Sequence, residues 1–289
     1  MALKLRPAEW LLAGYAGIVI AVAIARMPSY PATVWVAVAH ALVLVLIGLL
    51  AIAPERNALG RALRAGAPLC VLLALYGGLD LLSASGAKAT HDGLVRGWEL
   101  ALFGSEVSRE WWRAAPSVFW STVLHAVYFS YYLVVPTPIV WFLAKGRRDE
   151  VDRSMFAILA TFVLCYLCFI FAPVAGPYYE YPRPDPAFLA NWPARTVYAV
   201  LSSGSAYGAA FPSSHVAATW VAAAVGARGS RALGGLLAAI AALLTVGVVY
   251  CQMHYAVDAL AGVLTAVLAL GVTALVFRSG PPADFARAS

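Results

Sequence analysis

Long apolar runs separated by short polar segments dominate the chain. The runs fall near residues 9–26, 33–53, 67–85, 117–143, 154–173, 212–227, 232–250 and 255–277. A helix needs about 20 apolar residues to cross the hydrocarbon core of a bilayer. The pattern therefore predicts an all-α fold, a polytopic membrane helix bundle of about eight transmembrane helices. The third run is interrupted by Asp80 and the sixth is short.

Composition changes this picture little. The 289 residues are 62% hydrophobic and 12% charged, which excludes an ordinary soluble domain. The 20 Lys and Arg exceed the 14 Asp and Glu, but most of the excess lies in short loops between apolar runs. This placement is a topology signal rather than a sign of a nucleic-acid partner, and it predicts cytoplasmic N- and C-termini.

Composition predicts which membrane the chain occupies, and the first apolar run predicts how the N-terminus is anchored. The alanine-rich, arginine-over-lysine composition is typical of a GC-rich bacterium. We therefore expect a multi-pass protein of the bacterial cell membrane, whose other face is extracytoplasmic. The first run has a basic start and an Ala23-Ile24-Ala25 stretch that resembles a signal cleavage site. We interpret it as a retained anchor.

Two long loops, about 86–116 and 174–211, fall on the outer face in this topology. The first contains "HDGLVRGWELALFG", whose apolar residues predict a helix lying in the membrane interface. The second contains "AGPYYEYPRPDP", which is too rich in proline for a helix. Loops of this length in a compact protein usually carry function or cover it.

Three ionisable residues lie at the outer ends of apolar runs, where such side chains are costly. His215 opens the sixth run, while His254 and Asp258 open the eighth. Because the chain goes in through one run and out through the next, both histidines should emerge on the same face. His254 and Asp258 are four residues apart, so we expect them on one face of a helix, with the carboxylate orienting the imidazole.

The residues before His215 suit an anion. Pro212 fits the first turn of a helix, whose free N–H groups favour negative charge, and Ser213 and Ser214 add hydroxyl donors. A phosphate group fits this site. The same residues could simply start a helix, and His-x-x-x-Asp could be an interhelical polar contact. A two-histidine, one-carboxylate metal site is a third interpretation, although no further ligand is evident.

At these residues the sequence resembles the type 2 phosphatidic acid phosphatase superfamily. The second motif of that family, Pro-Ser-x-His, stands here as "PSSH", and the end of its third, His-x-x-x-Asp, as "HYAVD". The strings "WELALFG" and "GPYYEYP" resemble the branch of inositol phosphorylceramide synthases, which are inositolphosphotransferases. The resemblance implies a six-helix catalytic core at residues 67–289, preceded by a transmembrane helix pair at 1–66.

The departures from the family pattern concern cations that hold phosphate. Gly176 stands at the lysine of the first motif, and Gly247-Val248 replaces the Ser-Arg that precedes the third. This loss favours a transferase over a simple phosphatase. Arg183-Pro184 could supply the end of the first motif. We expect Arg183 and Arg195 to bind phosphate, with Arg96, Arg109 and Arg113 as further candidates.

The resemblance implies a mechanism without a cofactor or a metal. His254 would attack phosphorus to give a phosphohistidine, Asp258 would orient it, and His215 would protonate the departing oxygen. The substrates would be membrane lipids: a phospholipid donor and a lipid or polyol acceptor. We expect transfer of a phospho-headgroup, such as phosphoinositol. A lipid phosphate or polyprenyl diphosphate phosphatase and a proton-coupled transporter are the alternatives.

Other polar residues near the outer face could hold an acceptor headgroup or only cap helices. These residues are Asp80, His91, Asp92, Tyr178 and Tyr179. Sequence does not decide the donor, the acceptor or the oligomeric state.

Overall fold

Helices form nearly all of the structure. The computed structural model describes residues 5–52, 58–84 and 90–278. The helices are α1 (Pro7–Arg26), α2 (Thr33–Ile52), α3 (Ala58–Leu75), α4 (Leu79–Ala84), α5 (Asp92–Phe103), α6 (Val107–Ala114), α7 (Val118–Val134), α8 (Thr137–Ala144), α9 (Arg148–Phe171), α10 (Pro177–Glu180), α11 (Trp192–Gly204), α12 (Ser214–Gly229), α13 (Arg231–Tyr250) and α14 (Ala256–Val276). A 3-10 turn, Tyr76–Gly78, joins α3 to α4.

The all-α, polytopic membrane fold is confirmed, with a smaller number of clear spans than predicted. Within the described ranges, six helices are long and apolar enough to cross a membrane, or seven if α7 and α8, bent by 41°, count as one. The remaining predicted span is α12, which has only 16 residues. At 1.5 Å per residue it is about 24 Å long, less than the roughly 30 Å of a hydrocarbon core. The last residues of the second and third predicted runs, 53 and 85, lie outside the described part, as does the tail from 279.

The centre of the bundle is α9, which packs against α1, α3, α8, α12 and α14. Its apolar residues are buried on all sides, as expected of a helix that is hydrophobic around its whole circumference. The predicted N-terminal pair, α1 and α2, packs together, and α1 also contacts α9. Glu9 of α1 and Arg64 of α3 form a buried ion pair, with Nε and Oε1 2.7 Å apart.

Two features of the C-terminal half position the candidate site. The helices α12 and α13 form an antiparallel pair, which brings the start of α12 to the same end of the bundle as the end of α13. The starts of α12 and α14 also touch through their backbones. The Ser213 N–H donates to the Asp258 carbonyl at 3.0 Å, and a Cβ added to Gly262 would lie 2.7 Å from the Ser213 carbonyl oxygen.

The two long loops carry short helices. As expected, "HDGLVRGWELALFG" forms a helix, α5, with Asp92, Val95 and Glu99 buried on one face. Leu94 and Leu102 are exposed on the other. The proline-rich second loop contains only the four-residue α10 before α11 begins.

Candidate active site

The two histidines lie side by side, as the alternation of the apolar runs predicted. The ring centroids of His215 and His254 are 6.0 Å apart. His215 is the second residue of α12, and His254 lies in the turn between α13 and α14. Because α13 runs back along α12, residues 39 positions apart in sequence meet at one end of the bundle.

His254 contacts Asp258, but not from the same helix. The expectation that both residues lie on one helix face is wrong, since α14 begins at Ala256 and His254 precedes its N-cap, Tyr255. Asp258 accepts a hydrogen bond from the Tyr255 N–H at 2.8 Å. Its Oδ2 also lies 3.4 Å from Nδ1 of His254, which is ion-pair distance without hydrogen-bond geometry. A capping carboxylate therefore faces the histidine ring.

The segment before His215 starts α12 in a different way from that expected. Pro212 lies outside the helix, and Ser213 is the N-cap, whose side chain accepts the Val216 N–H. Ser213 is fully buried and Ser214 nearly so. The helix-start interpretation is thus correct for Ser213, whose hydroxyl hydrogen still remains able to donate to an anion.

The His215 ring is enclosed by two tyrosines of α7. Its centroid lies 4.6 Å from that of Tyr128, nearly parallel to it, and 4.3 Å from that of Tyr131. Both tyrosines are buried. Packing against two rings fixes the plane of the imidazole and leaves its in-plane nitrogens as the atoms that can exchange protons.

Three buried polar atoms of the site have no hydrogen-bond partner in the described part of the chain. They are Nδ1 of His215, Nδ1 of His254 and Oδ1 of Asp258. Buried polar atoms are nearly always hydrogen-bonded in folded proteins. Their concentration at one point is typical of a site that receives a polar ligand.

Gln252 ties His254 to the surrounding loops. Its backbone has a positive φ of 60°, and its side chain is almost fully buried. The amide oxygen accepts the indole N–H of Trp112 at 2.9 Å, and the amide nitrogen donates to the Pro182 carbonyl at 2.9 Å. The turn that carries His254 is therefore bonded to both outer loops.

Asp92 binds the chain on two sides of the site. One carboxylate oxygen accepts the Ala175 N–H at 2.8 Å. The other accepts the Gly176 N–H at 2.8 Å and the Tyr255 hydroxyl at 2.9 Å. The side chain is only 3% exposed.

Glu99, two turns later on the same face of α5, binds the start of α14. Its Oε1 accepts the N–H groups of Ala256 and Ser108, at 2.8 and 3.3 Å, and its Oε2 accepts the Ser108 hydroxyl at 3.0 Å. Burial raises the pKa of the Glu99 carboxyl above its ordinary value, although these hydrogen bonds partly offset the shift.

A polar cavity of about 620 Å³ lies beside the second loop. Several residues singled out from the sequence line it, and the C-terminal end of α11 supplies three serines. The lining comprises Gly77, Asp80, Tyr178, Tyr179, Arg183, Leu201, Ser202, Ser203, Gly204, Ser205 and Ala206. His91 lies elsewhere, exposed at the N-cap of α5, and Asp92 is buried behind Gly176.

The candidate phosphate-binding arginines differ in their partners. Arg96 and Arg109 both bind Glu106, at 2.6 and 3.1 Å. Arg183 is exposed and stacks over Tyr178 and another tyrosine without a carboxylate partner among the described residues. Arg195 is likewise exposed and has no ion pair within that part of the chain.

A family model described as the PAP2 superfamily matches residues 98–272, more than half of the chain. This protein belongs to the PAP2 superfamily. Comparisons with curated proteins and with solved structures give no match. Membership supports a membrane enzyme with lipid phosphatase or phosphotransferase activity, and both histidines and Asp258 lie inside the matched region.

The backbone of this PAP2 protein leaves little room for a side chain at one of the two positions where the family has phosphate-binding cations. Gly176, at the lysine position, has a φ of +90°, and an added Cβ would lie 2.7 Å from the Cβ of Ala210. At Gly247 an added Cβ would lie 3.2 Å from that of Leu124. A side chain at Gly176 would thus need the loop to move.

Sequence reasoning missed several residues that shape the PAP2 site. Tyr128, Tyr131, Glu99 and Gln252 were not singled out as site residues. One feature of the sequence points to Glu99. It lies seven residues after Asp92, and therefore on the same face of the helix. Among the described residues no group of three or more His, Cys, Asp and Glu is arranged to hold a metal ion.

Proposed function

We propose that this PAP2 protein is a lipid phosphotransferase that moves a phospho-headgroup, such as phosphoinositol, from one lipid to another. The observation that carries the proposal is the pair of neighbouring histidines, 6.0 Å apart, one of them facing a carboxylate. Two imidazoles and one carboxylate are the groups needed for a nucleophile, an acid–base catalyst and an orienting partner.

In the first step neutral His254 attacks the phosphorus of the donor lipid. A nitrogen–phosphorus bond forms while the bond between phosphorus and the departing oxygen breaks. Protonated His215 gives its proton to that oxygen, so the lipid leaves as an alcohol. Asp258 stabilises the cationic ring of the phosphohistidine through its nearby Oδ2.

In the second step the hydroxyl of the acceptor takes the place of the departed alcohol. Neutral His215 removes its proton as the hydroxyl oxygen attacks phosphorus, and the nitrogen–phosphorus bond breaks. His254 is released and His215 is again protonated, which closes the cycle. With water as acceptor the same steps give a phosphatase.

Three features support transfer rather than hydrolysis. The positions of the phosphatase-type lysine and arginine carry Gly176 and Val248, and the first of these leaves no room for a side chain. The cavity offers hydrogen-bond groups for a headgroup at Asp80 and Tyr179. Arg183, the cation among the described lining residues, suits the phosphate of that headgroup. Tyr178, Ser213, Ser214 and Arg195 complete the proposed binding groups.

The proposal includes the membrane face on which the site lies and the part of the chain that forms the catalytic core. We place the site at the extracytoplasmic face of a bacterial cell membrane, with both termini cytoplasmic, because basic residues are concentrated in the opposite loops. Residues 67–289 would form the catalytic core, and 1–66 an N-terminal addition. In support, the side chains around the two histidines come from α5 onward.

The test is product analysis with purified protein in vesicles that contain mixed phospholipids. Mass spectrometry compares products with and without ceramide, diacylglycerol and inositol, for the wild type and for His254→Ala. We expect new phospho-headgroup lipids from the wild type only, with a chelator making no difference. Free phosphate alone would indicate a phosphatase, and solute flux without lipid products a transporter. Equal turnover by His254→Ala would refute the mechanism.

A further inference from the structure

The carboxylate of Asp92 joins two segments that lead to different histidines. It accepts hydrogen bonds from Ala175 and Gly176 in the second loop and from the Tyr255 hydroxyl next to His254. We propose that Asp92 is a positioning residue that fixes the separation of His215 and His254. This inference rests on the proposed function, and it assigns Asp92 a role other than headgroup binding.

The connection from Asp92 to His215 runs through backbone hydrogen bonds. The Val174 N–H donates to the Gly208 carbonyl at 3.1 Å, and the Ala210 N–H donates to the Val174 carbonyl at 2.9 Å. The chain then passes directly into the start of α12. Holding Ala175 and its neighbour therefore holds the strand-like segment 208–210 that enters the His215 helix.

The connection to His254 is shorter. Tyr255 follows His254 directly, is completely buried, and is the N-cap of α14. Its hydroxyl is anchored by Asp92, while its backbone N–H is bonded to Asp258. A shift of Asp92 would move the residue between the nucleophile and its orienting carboxylate.

The hydrogen-bond pattern requires a carboxylate at position 92. Each oxygen of Asp92 faces a backbone N–H, and an N–H can only donate. An asparagine would place its NH₂ group against either the Ala175 or the Gly176 N–H, whichever way the amide is turned. One buried donor would then lack an acceptor, which is costly.

Glu99 provides a matched comparison on the same helix. It too is a buried carboxylate that accepts three hydrogen bonds, but one of its donors is the Ser108 hydroxyl. A hydroxyl can accept as well as donate. In Glu99→Gln the amide oxygen keeps both N–H donors and the NH₂ group donates to Ser108, so each contact survives. Both substitutions remove one negative charge, and only the one at 92 breaks a hydrogen bond.

The experiment compares Asp92→Asn, Glu99→Gln and Tyr255→Phe with the wild type. Purified proteins in vesicles of phosphatidylinositol, phosphatidic acid and phosphatidylethanolamine are assayed for kcat and KM by mass spectrometry of products. Hydrogen exchange of the peptides that contain Ala175–Gly176 and Tyr255 is measured on the same samples. Far-UV circular dichroism and the thermal midpoint show whether each variant is folded.

For Asp92→Asn we expect kcat to fall by about 100-fold with KM changed less than about threefold, since Asp92 itself does not line the cavity. Exchange should rise in both peptides. Tyr255→Phe should lower kcat by about tenfold, because it removes one bond of three. Glu99→Gln should stay within about threefold of the wild type.

The proposal is overturned if Asp92→Asn keeps the kcat of the wild type, whether KM is unchanged or raised. If Asp92→Asn does not fold, Tyr255→Phe decides: kcat unchanged with exchange unchanged overturns it, and a lower kcat in a folded protein supports it. The proposed function fails separately, by His254→Ala turning over the same lipids. In that case the exchange data still report whether Asp92 holds the two segments.

Discussion

Two regions of the molecule are built differently. One, the buttressed side, consists of α5, α6 and the start of α14, where buried Asp92 and Glu99 bind backbone N–H groups. The other, the cavity side, is lined by Asp80, Tyr179 and Arg183, and Tyr179 is 40% exposed there. On the proposed function, the difference separates two tasks. Buried groups would fix the geometry for chemistry, and exposed groups would contact a variable substrate.

Charge follows the same division. On the buttressed side the single carboxylate of Glu106 pairs with both Arg96 and Arg109. Hydrogen bonds from these arginines outweigh burial and lower the pKa of Glu106. On the cavity side Arg183 has only tyrosine partners among the described residues. A phosphate can therefore bind Arg183 without displacing a paired carboxylate.

The largest expected effect comes from a change in the histidine pair. His215→Ala should lower kcat by about 10²- to 10⁴-fold, because it removes the group that transfers protons in both steps. Tyr128→Phe keeps the stacked ring and is the control, expected within about threefold of the wild type. Single-turnover and steady-state rates of the purified variants measure both. If the two variants lost activity equally, the Tyr128 hydroxyl would matter as much as the imidazole, which would contradict the role given to His215.

An intermediate effect tests the cavity side. Arg183→Ala should raise KM for a phospholipid donor by about tenfold or more, with kcat much less affected, because a charge-assisted bond to phosphate is lost. Arg195→Ala tests the second predicted phosphate-binding residue in the same assay. Arg231→Ala, exposed at the start of α13 and hence at the opposite end of the bundle, is the control. A drop in kcat at unchanged KM for Arg183→Ala would contradict the division of tasks.

The smallest effect concerns the pH dependence of stability on the buttressed side. Burial raises the pKa of Glu99 in the folded protein above the unfolded value of about 4.3. The stability contributed by this group is therefore present below the unfolded pKa and lost as pH rises through the folded one. Thermal midpoints of wild type and Glu99→Gln in detergent, from about pH 4 to 7, should show the wild type losing stability relative to the variant. A constant difference would contradict the shift.

The sequence was informative where the signal was periodic. Apolar runs predicted a polytopic bundle, and their alternation correctly predicted that His215 and His254 meet. It did not predict where helices start. His254 was expected inside α14, yet the capping contact between Asp258 and Tyr255 begins the helix two residues later. Four-residue spacing suits both a helical face and a cap, so spacing alone could not separate them.

The buttressed side was largely invisible to sequence reasoning for a physical reason. Asp92, Glu99 and Gln252 bind mostly main-chain groups. Nearly every residue type has these groups, so the types of the residues opposite do not indicate the contacts. Asp92 was considered only as a headgroup or capping residue, and the one signal for Glu99 was its position seven residues after Asp92 on the same helical face. The cavity side was easier, since Asp80 and the tyrosines of "GPYYEYP" are polar where apolar residues prevail.

The direct bond between the Ser213 N–H and the Asp258 carbonyl has a consequence for how such enzymes can diversify. Because α12 and α14 touch here through main-chain atoms, this contact does not depend on which side chains the two residues carry. The cavity residues 178–183 and 201–206 lie on separate stretches of chain. Exchanging those stretches for ones that suit another lipid would therefore leave this contact between α12 and α14 in place.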